Sequence, residues 1–208
     1  TAAISHARPG VGEIARILAA STFRPGAPAF TVLIKACGRA GAWEKAVELH
    51  DHMKAKGMGA NTITCSALIN ACGKSRQWKK ALEVFEEMRA EGVEANIYTY
   101  SALISACAKG KQLDKALEIF ELCKVNGVEP DGITYGAMIS ACEKGRRVDK
   151  ALEIFAQMKK AGMEANAITY NALLAACERA GKADDAREVF DDMKRDGIKP
   201  DRVAHAAL

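Results

Sequence analysis

The sequence predicts an all-α solenoid built from stacked helical hairpins, and three observations lead to this fold class. Five segments of 35 residues follow one another without a gap from Ala27 to Asp201, and each repeats the pattern of the others. Self-similarity at a fixed period of this size is typical of stacked repeat arrays. Within each segment, apolar residues recur in steps of three and four, which indicates two amphipathic helices. No segment alternates apolar and polar residues as a half-buried strand would, so the repeat unit is a pair of helices.

The chain before the first full repeat is more degenerate. The segment Glu13–Leu18 has a helical pattern, and Arg24–Gly26 takes the place of the linker found in later repeats. We expect this stretch to be the second helix of a divergent repeat that caps the core. The predicted units are a divergent amino-terminal capping repeat (1–26), five full repeats (27–61, 62–96, 97–131, 132–166 and 167–201) and the start of a truncated sixth repeat (202–208).

The second repeat shows the features of each full unit. Its apolar residues predict a first helix over Ile63–Lys74 and a second helix over Trp78–Ala90. Gly92 follows the second helix, and a residue without Cβ suits a left-handed C-terminal cap. In the first repeat, Pro28 stands near the start of the first helix, where the first turn tolerates proline.

The composition fits a folded protein. Hydrophobic residues make up 49% of the chain, and the net charge of +4 is too small to indicate a nucleic-acid partner by itself. No run of 18 apolar residues is present, so the sequence predicts no transmembrane helix. Because the chain starts at Thr1 and its last repeat is incomplete, we expect a fragment or a processed product from which any targeting peptide is missing.

Five of the seven cysteines recur at the repeat period on the apolar side of the first helix. Stacked helices lie ~8–10 Å apart, whereas a disulfide needs Cα atoms within ~7 Å and zinc needs four converging ligands. The sequence therefore predicts a column of small buried side chains, and unpaired thiols suggest a reducing compartment. Cys65 and Cys123 replace larger residues at core positions. The members of the column are Cys37, Cys72, Cys107, Cys142 and Cys177.

Nothing in the sequence indicates catalysis, a cofactor or a metal. The four histidines have no recurrent acidic or thiol partner, and no Gly-rich phosphate loop is present. His50 replaces the Phe of the other repeats, which favours a packed or capping role.

Two repeat classes are helical hairpins of about this length. The tetratricopeptide pattern, with its Trp, Leu-Gly and Tyr early in the unit, is absent. Instead, the motifs of Ile168–Leu174 and Gly197–Asp201 closely resemble the pentatricopeptide repeat (PPR) family in its plain, P-type form of 35 residues. This resemblance holds in all five repeats. It implies a right-handed superhelical solenoid that binds single-stranded RNA in its concave groove, in mitochondria or chloroplasts, without chemistry and without a membrane.

The family resemblance also implies which residues read RNA. Positions are counted within each repeat from its first residue, which is Ala27, Thr62, Ile97, Gly132 or Ala167. The fifth position varies between near-constant neighbours, whereas the last position is always Asn or Asp, so that each pair would read one base. The last position has an alternative interpretation as a helix N-cap. The five pairs are Thr31/Asn61, Ser66/Asn96, Ser101/Asp131, Gly136/Asn166 and Asn171/Asp201. By the family's pairing they would favour 5′-AAG(A)U-3′, with a weak preference at Gly136.

Two further positions complete the predicted RNA site. Apolar second-position residues would sandwich the bases in the family, with half-exposed packing as the alternative; these are Ile63, Tyr98, Ile133, Ile168 and Val203. Pro28 departs from this pattern and weakens the first repeat as a reader. The thirteenth position is basic in every repeat and predicts a phosphate track, with helix-dipole pairing as the alternative. These cations are Arg39, Lys74, Lys109, Lys144 and Arg179.

The sequence leaves three functions open. The first is RNA binding that stabilises, processes or helps translate an organellar transcript, alone or together with other proteins of an organellar RNA complex. The second is a protein-binding scaffold in an organellar ribonucleoprotein such as a ribosome. The third is the RNA-gripping part of a longer nuclease or editing factor.

Overall fold

The computed structural model describes residues 26–206, and the predicted capping repeat at 1–25 lies outside this range. Eleven α-helices make up the described chain and follow one another as antiparallel pairs. The first helices of the pairs are α1 (Ala27–Arg39), α3 (Thr62–Lys74), α5 (Ile97–Lys109), α7 (Gly132–Lys144) and α9 (Ala167–Ala180). The second helices are α2 (Trp43–Ala55), α4 (Trp78–Ala90), α6 (Leu113–Val125), α8 (Val148–Lys160) and α10 (Ala183–Arg195). The short helix α11 (Arg202–Ala206) begins a further pair.

The predicted helix boundaries in the second repeat are confirmed to within one residue. Helix α4 has the predicted bounds, and α3 starts one residue early, at Thr62, because Asn61 caps it. Gly92 has a φ of 70°, which confirms the predicted left-handed cap. The N–H of Val93 donates to the C=O of Met88 at 3.0 Å, and this closes the last turn of α4 as a Schellman motif.

The first helices of successive pairs pack directly on one another, whereas the second helices contact mainly their own partner and the next first helix. At two of these interfaces a glycine permits a close approach. A Cβ added at Gly38 would lie 2.9 Å from Cβ of Ala71, and one added at Gly73 would lie 2.9 Å from Cβ of Ala106. An array whose first helices are closer together than its second helices must curve with the first helices on its inner side.

The core runs along the whole array between the two helix layers. The seven cysteines are all buried and free, which confirms the predicted packing column. Burial raises the pKa of Cys72, Cys107 and Cys142 to about 11. No cluster of three or more His, Cys, Asp or Glu side chains in residues 26–206 could hold a metal ion.

Edge-to-face aromatic pairs join most second helices to the next first helix. The ring centroids of Phe85 and Tyr100 are 5.8 Å apart, and two later interfaces repeat this contact. At the first interface His50 and Cys65 occupy the corresponding positions. His50 is 3% exposed, so it is a packed residue, and its Nε2 has no hydrogen-bond partner among the described residues.

No helix within residues 26–206 is both long and apolar enough to cross a membrane. The predicted fold class, an all-α superhelical solenoid of helical hairpins, is confirmed.

Candidate nucleic-acid interface

The residue at the last position of each repeat is the N-cap of the next first helix. Its Oδ1 accepts a hydrogen bond from the backbone N–H three residues later, which confirms the capping interpretation. The distances are 2.9 Å for Asn61, 3.1 Å for Asn96, 2.8 Å for Asp131, 3.0 Å for Asn166 and 2.9 Å for Asp201.

The capping bond determines which side-chain atom of the last-position residue can still form a hydrogen bond to a ligand. A backbone N–H can only donate, so the atom that faces it must be the oxygen of the Asn amide. The Nδ2 group of Asn61, Asn96 and Asn166 is thereby left as a hydrogen-bond donor. Asp131 turns one oxygen to the cap and keeps the other as an acceptor. The capping interpretation and the base-reading interpretation are therefore compatible, because the cap orients the group that would read.

In the first two repeats, a threonine of the following repeat connects the last residue to the fifth residue. The Thr64 hydroxyl lies 2.7 Å from the Thr31 hydroxyl and donates to Oδ1 of Asn61 at 3.0 Å. In the next repeat the Ser66 hydroxyl lies 2.7 Å from the Thr99 hydroxyl. We name the four recurrent residues the relay threonines, and they are Thr64, Thr99, Thr134 and Thr169.

The relay threonines were missed as site residues at the sequence level. They are buried, with at most 2% of each residue exposed, although threonine is polar. Their recurrence at the third position of four repeats was visible in the sequence, but their partners lie on the neighbouring repeat. Only the stacking of the hairpins brings a third-position residue against the fifth position of the preceding repeat.

The third, fourth and fifth repeats depart from this arrangement. In the third repeat the Thr134 hydroxyl donates to Oδ1 of Asp131 at 2.7 Å, but among the described residues it forms no hydrogen bond with Ser101. Gly136 has no side chain to reach Thr169, whose Oγ1 would lie 3.4 Å from an added Cβ. In the fifth repeat Ala204 replaces the relay threonine, and Asn171 donates directly to Asp201 at 2.9 Å. The Oδ1 of Asn171 is then buried without a partner among the described residues. The bond from the Ala204 N–H, followed by the bond from Asn171, lowers the pKa of Asp201.

The second-position residues are strongly exposed for apolar side chains. Exposed fractions run from 54% to 74%, and these side chains are five of the seven large exposed hydrophobic residues between residues 26 and 206. Apolar side chains at this spacing offer flat surfaces to a ligand instead of filling the core. They are Ile63, Tyr98, Ile133, Ile168 and Val203. Pro28 is also exposed, in the first turn of α1.

The thirteenth-position cations all lie exposed in the last turn of a first helix. Within residues 26–206, Arg39, Lys74, Lys109 and Lys144 form no ion pair. Arg179 differs because its guanidinium pairs with the carboxylate of Glu143 on the preceding repeat. On the second helices, by contrast, lysines pair with glutamates three residues away, as in Lys80–Glu83, Lys115–Glu118 and Lys150–Glu153. The positive charge of the inner helix ends is therefore less neutralised than that of the second helices.

A family model described as the pentacotripeptide-repeat region of PRORP matches residues 21–208. The chain belongs to the pentatricopeptide repeat family. No curated protein sequence matches the chain.

Solved structures of PPR proteins resemble the array. Maize PPR10 is 28% identical with a TM-score of 0.72, over 94% of this chain and 28% of PPR10. PPR10 in complex with an 18-nt psaJ RNA element is 27% identical with a TM-score of 0.66, over 95% of this chain and 33% of the other. This PPR array therefore spans no more than about a third of the PPR10 chains that it matches.

The PPR domain of Arabidopsis thaliana protein-only RNase P 1, in complex with tRNA, has a TM-score of 0.78 at 16% identity. The match covers 86% of this chain and 95% of that domain. At this identity the likeness shows the shared fold alone.

Proposed function

We propose that this PPR array binds single-stranded RNA along its inner helices, reads one base per repeat and performs no chemistry. One observation carries the proposal: at Asn61, Asn96, Asp131 and Asn166 the N-cap leaves a single polar group of defined type, an amide N–H or a carboxylate oxygen, close in sequence to an exposed apolar second-position side chain. At Asp201 the second oxygen already accepts a hydrogen bond from Asn171. That pairing of one oriented polar group with one flat apolar surface suits a base that is stacked and hydrogen-bonded.

The chemistry of the exposed group gives the base preference. An Asn Nδ2 donates to a ring acceptor such as that of adenine, whereas an Asp oxygen accepts from the ring N–H of guanine or uracil. With the family's pairing of fifth and last positions, the five repeats favour 5′-AAG(A)U-3′. In the first two repeats a relay threonine supports this reading, because it holds the last residue and the fifth residue in one hydrogen-bonded unit.

The thirteenth-position cations supply the sequence-independent part of the affinity. Each cation that neutralises a phosphate contributes about 0.7 to the slope of log affinity against log salt for a single strand. Five such contacts give a slope near −3.5, and we expect Arg179 to contribute least because Glu143 competes for it. Lys109→Ala should therefore make the slope shallower more than Arg179→Ala does.

By family resemblance the protein acts on a mitochondrial or chloroplast transcript, in its stabilisation, processing or translation. The RNA complexes of the similar PPR structures support RNA as the partner. Binding to a protein scaffold without RNA affinity is the outcome that would contradict this proposal.

The second and third repeats provide the test, since both have Ser at the fifth position and differ as Asn96 and Asp131. Asp131→Asn should shift the third base from G to A, and Asn96→Asp should shift the second base from A to G. Each shift should amount to about 1–3 kcal/mol, the range for one good base contact.

The measurement is the affinity of parent and variants for 5′-AAGAU-3′, 5′-AAAAU-3′ and 5′-AGGAU-3′ in one unstructured flank at one salt concentration. Both substitutions keep the N-cap, so helix stability is matched. A parent that binds RNA without preferring G at the third base would show that Asp131 is a cap only.

A further inference from the structure

The turns that end the first helices contain the only non-glycine residues of positive φ within residues 26–206. Arg76, Lys111 and Arg146 have φ values of 60°, 59° and 56°. They occupy the fifteenth position of the second, third and fourth repeats. In the first and fifth repeats this position is Gly41 and Gly181, with φ values of 73° and 68°.

The left-handed conformation is imposed by the way each first helix closes. In the third repeat the N–H of Gln112 donates to the C=O of Cys107 at 2.9 Å, and the N–H of Lys111 donates to the C=O of Ala108 at 3.1 Å. This is a Schellman motif, whose left-handed residue is usually glycine because a Cβ is unfavourable there. Three central repeats thus place a long cation where the backbone favours glycine.

No contact within the described protein accounts for these cations. All three side chains are exposed, and none forms an ion pair within residues 26–206. A Cβ added at Gly41 or Gly181 would meet nothing within 4 Å, so side chains at this position project away from the protein. Backbone strain that is retained without an internal contact points to an external ligand.

We call Arg76, Lys111 and Arg146 the turn cations, and the central one lies close to the thirteenth-position cation of the following repeat. Lys111 and Lys144 line one recess of about 90 Å³, whose other walls are Ala108, Leu113, Ala141 and Gly145. Two lysines and no acidic residue therefore line the recess. The same register relates Arg76 to Lys109 and Arg146 to Arg179.

We propose that Arg76, Lys111 and Arg146 form a second row of cations that binds RNA backbone phosphates at the edge of the groove, with Lys111 and Lys144 as its central phosphate site. This inference rests on the proposed function and extends it to residues outside the base-reading and thirteenth positions. A cation at a helix C-terminus also interacts favourably with the helix dipole. That interaction would stabilise the fold but leave RNA affinity unchanged, so the two roles can be separated.

The test combines stability and binding in the full chain. In the triple variant Arg76→Gly, Lys111→Gly and Arg146→Gly, the backbone strain is removed, so we expect the thermal midpoint to rise. The same variant should bind RNA more weakly, and its plot of log affinity against log salt should be shallower by about 2. If the two proteins bind equally at 1 M salt, this change in slope makes the variant's affinity lower on the order of 100-fold at 0.1 M salt. Lys111→Gln should weaken binding without raising the thermal midpoint, because it keeps the Cβ.

Two controls complete the design. Gly181→Lys adds a turn cation in the fifth repeat and should raise RNA affinity while lowering the midpoint. Lys160→Gln removes an exposed charge from the end of the second helix α8 and should leave RNA affinity nearly unchanged.

The RNA probes are 5′-AAGAU-3′ in an unstructured flank and the same sequence joined to a hairpin. If the turn variants lose affinity for both probes, the turn cations contact phosphates of the bound single strand. If they lose affinity only for the hairpin probe, the turn cations contact phosphates of its stem. If the parent binds RNA and Lys109→Ala weakens it, but the turn variants bind as the parent does, the second row is refuted and the proposed function stands. If the parent binds neither probe, the proposed function fails with it.

Discussion

The interfaces near the amino-terminal end of the array and those near its carboxyl-terminal end bring the inner helices together in different ways. At the first two interfaces Gly38 and Gly73 let the next helix approach until a Cβ would collide with its alanine. Between the fourth and fifth repeats Glu143 stands at the corresponding position, and it pairs with Arg179 of the next repeat.

The hydrogen bonds across these interfaces also differ between the two ends of the array. In the first two repeats a hydroxyl at the fifth position bonds to a buried relay threonine. At the last interface Ala204 replaces that threonine, and Asn171 bonds Asp201 directly. One helical framework therefore accepts either close backbone packing or side-chain pairing between repeats. The buried Oδ1 of Asn171 has no partner among the described residues, which makes it a candidate for binding a ligand.

The largest effect on stability should come from placing a side chain at a glycine where two first helices are in close contact. Gly73→Leu must force α3 and α5 apart, because the added Cβ would lie 2.9 Å from Cβ of Ala106. We expect a loss of about 3 kcal/mol in the free energy of unfolding, measured by urea denaturation. Glu143→Leu places an apolar side chain of similar size at a nearly buried position and leaves Arg179, which is half exposed, to solvent, so it should cost less than about 1 kcal/mol. Equal losses for the two variants would show that the two interfaces are packed alike.

The relay threonine should have an intermediate effect. Thr64→Val keeps the shape of a fully buried side chain but removes the hydroxyl that joins Thr31 to Asn61. The expected loss is about 1–3 kcal/mol, the range for buried polar groups that lose a partner. Ala204→Val is the matched substitution at the last interface, where there is no hydroxyl to lose. Thermal unfolding of Thr64→Val at the parent's midpoint would contradict a stabilising relay.

The smallest effect should appear as a pH dependence at the first interface. Burial, with a smaller contribution from Lys54, lowers the pKa of His50, whereas Asp51, Glu87 and Glu91 act in the opposite direction. Since the unfolded chain binds a proton at His50 below pH 6.5 and the folded chain does so only at lower pH, stability falls as the pH drops through this window.

The slope from His50 is at most about 1.4 kcal/mol per pH unit. His50→Phe restores the residue found at the later interfaces and should remove this part of the acid destabilisation, as seen in urea unfolding at pH 5 and pH 7. An unchanged difference between the two pH values would mean that folding does not lower the pKa of His50.

Much of the fold was determined by the sequence alone. Apolar steps of three and four located helices such as α4 at their observed bounds, because helical periodicity is a local property of the chain. Gly92 marked a helix end and Asn61 a helix start for the same reason: each acts on the backbone within a few residues of itself. The column around Cys107 followed from the repeat period, which places equivalent residues in one stack.

The contacts between repeats were decided only by the tertiary structure. Thr31 and Thr64 are 33 residues apart, and Glu143 and Arg179 are 36 apart, so no local pattern links them. Whether such side chains meet depends on how closely two helix backbones approach, and that distance is set by residues elsewhere on the interface, such as Gly38. The sequence could therefore place Asn61 at a helix start and at a candidate base-reading position. Only the stacked helices showed that Oδ1 of Asn61 accepts the capping hydrogen bonds, whereas its Nδ2 group remains available.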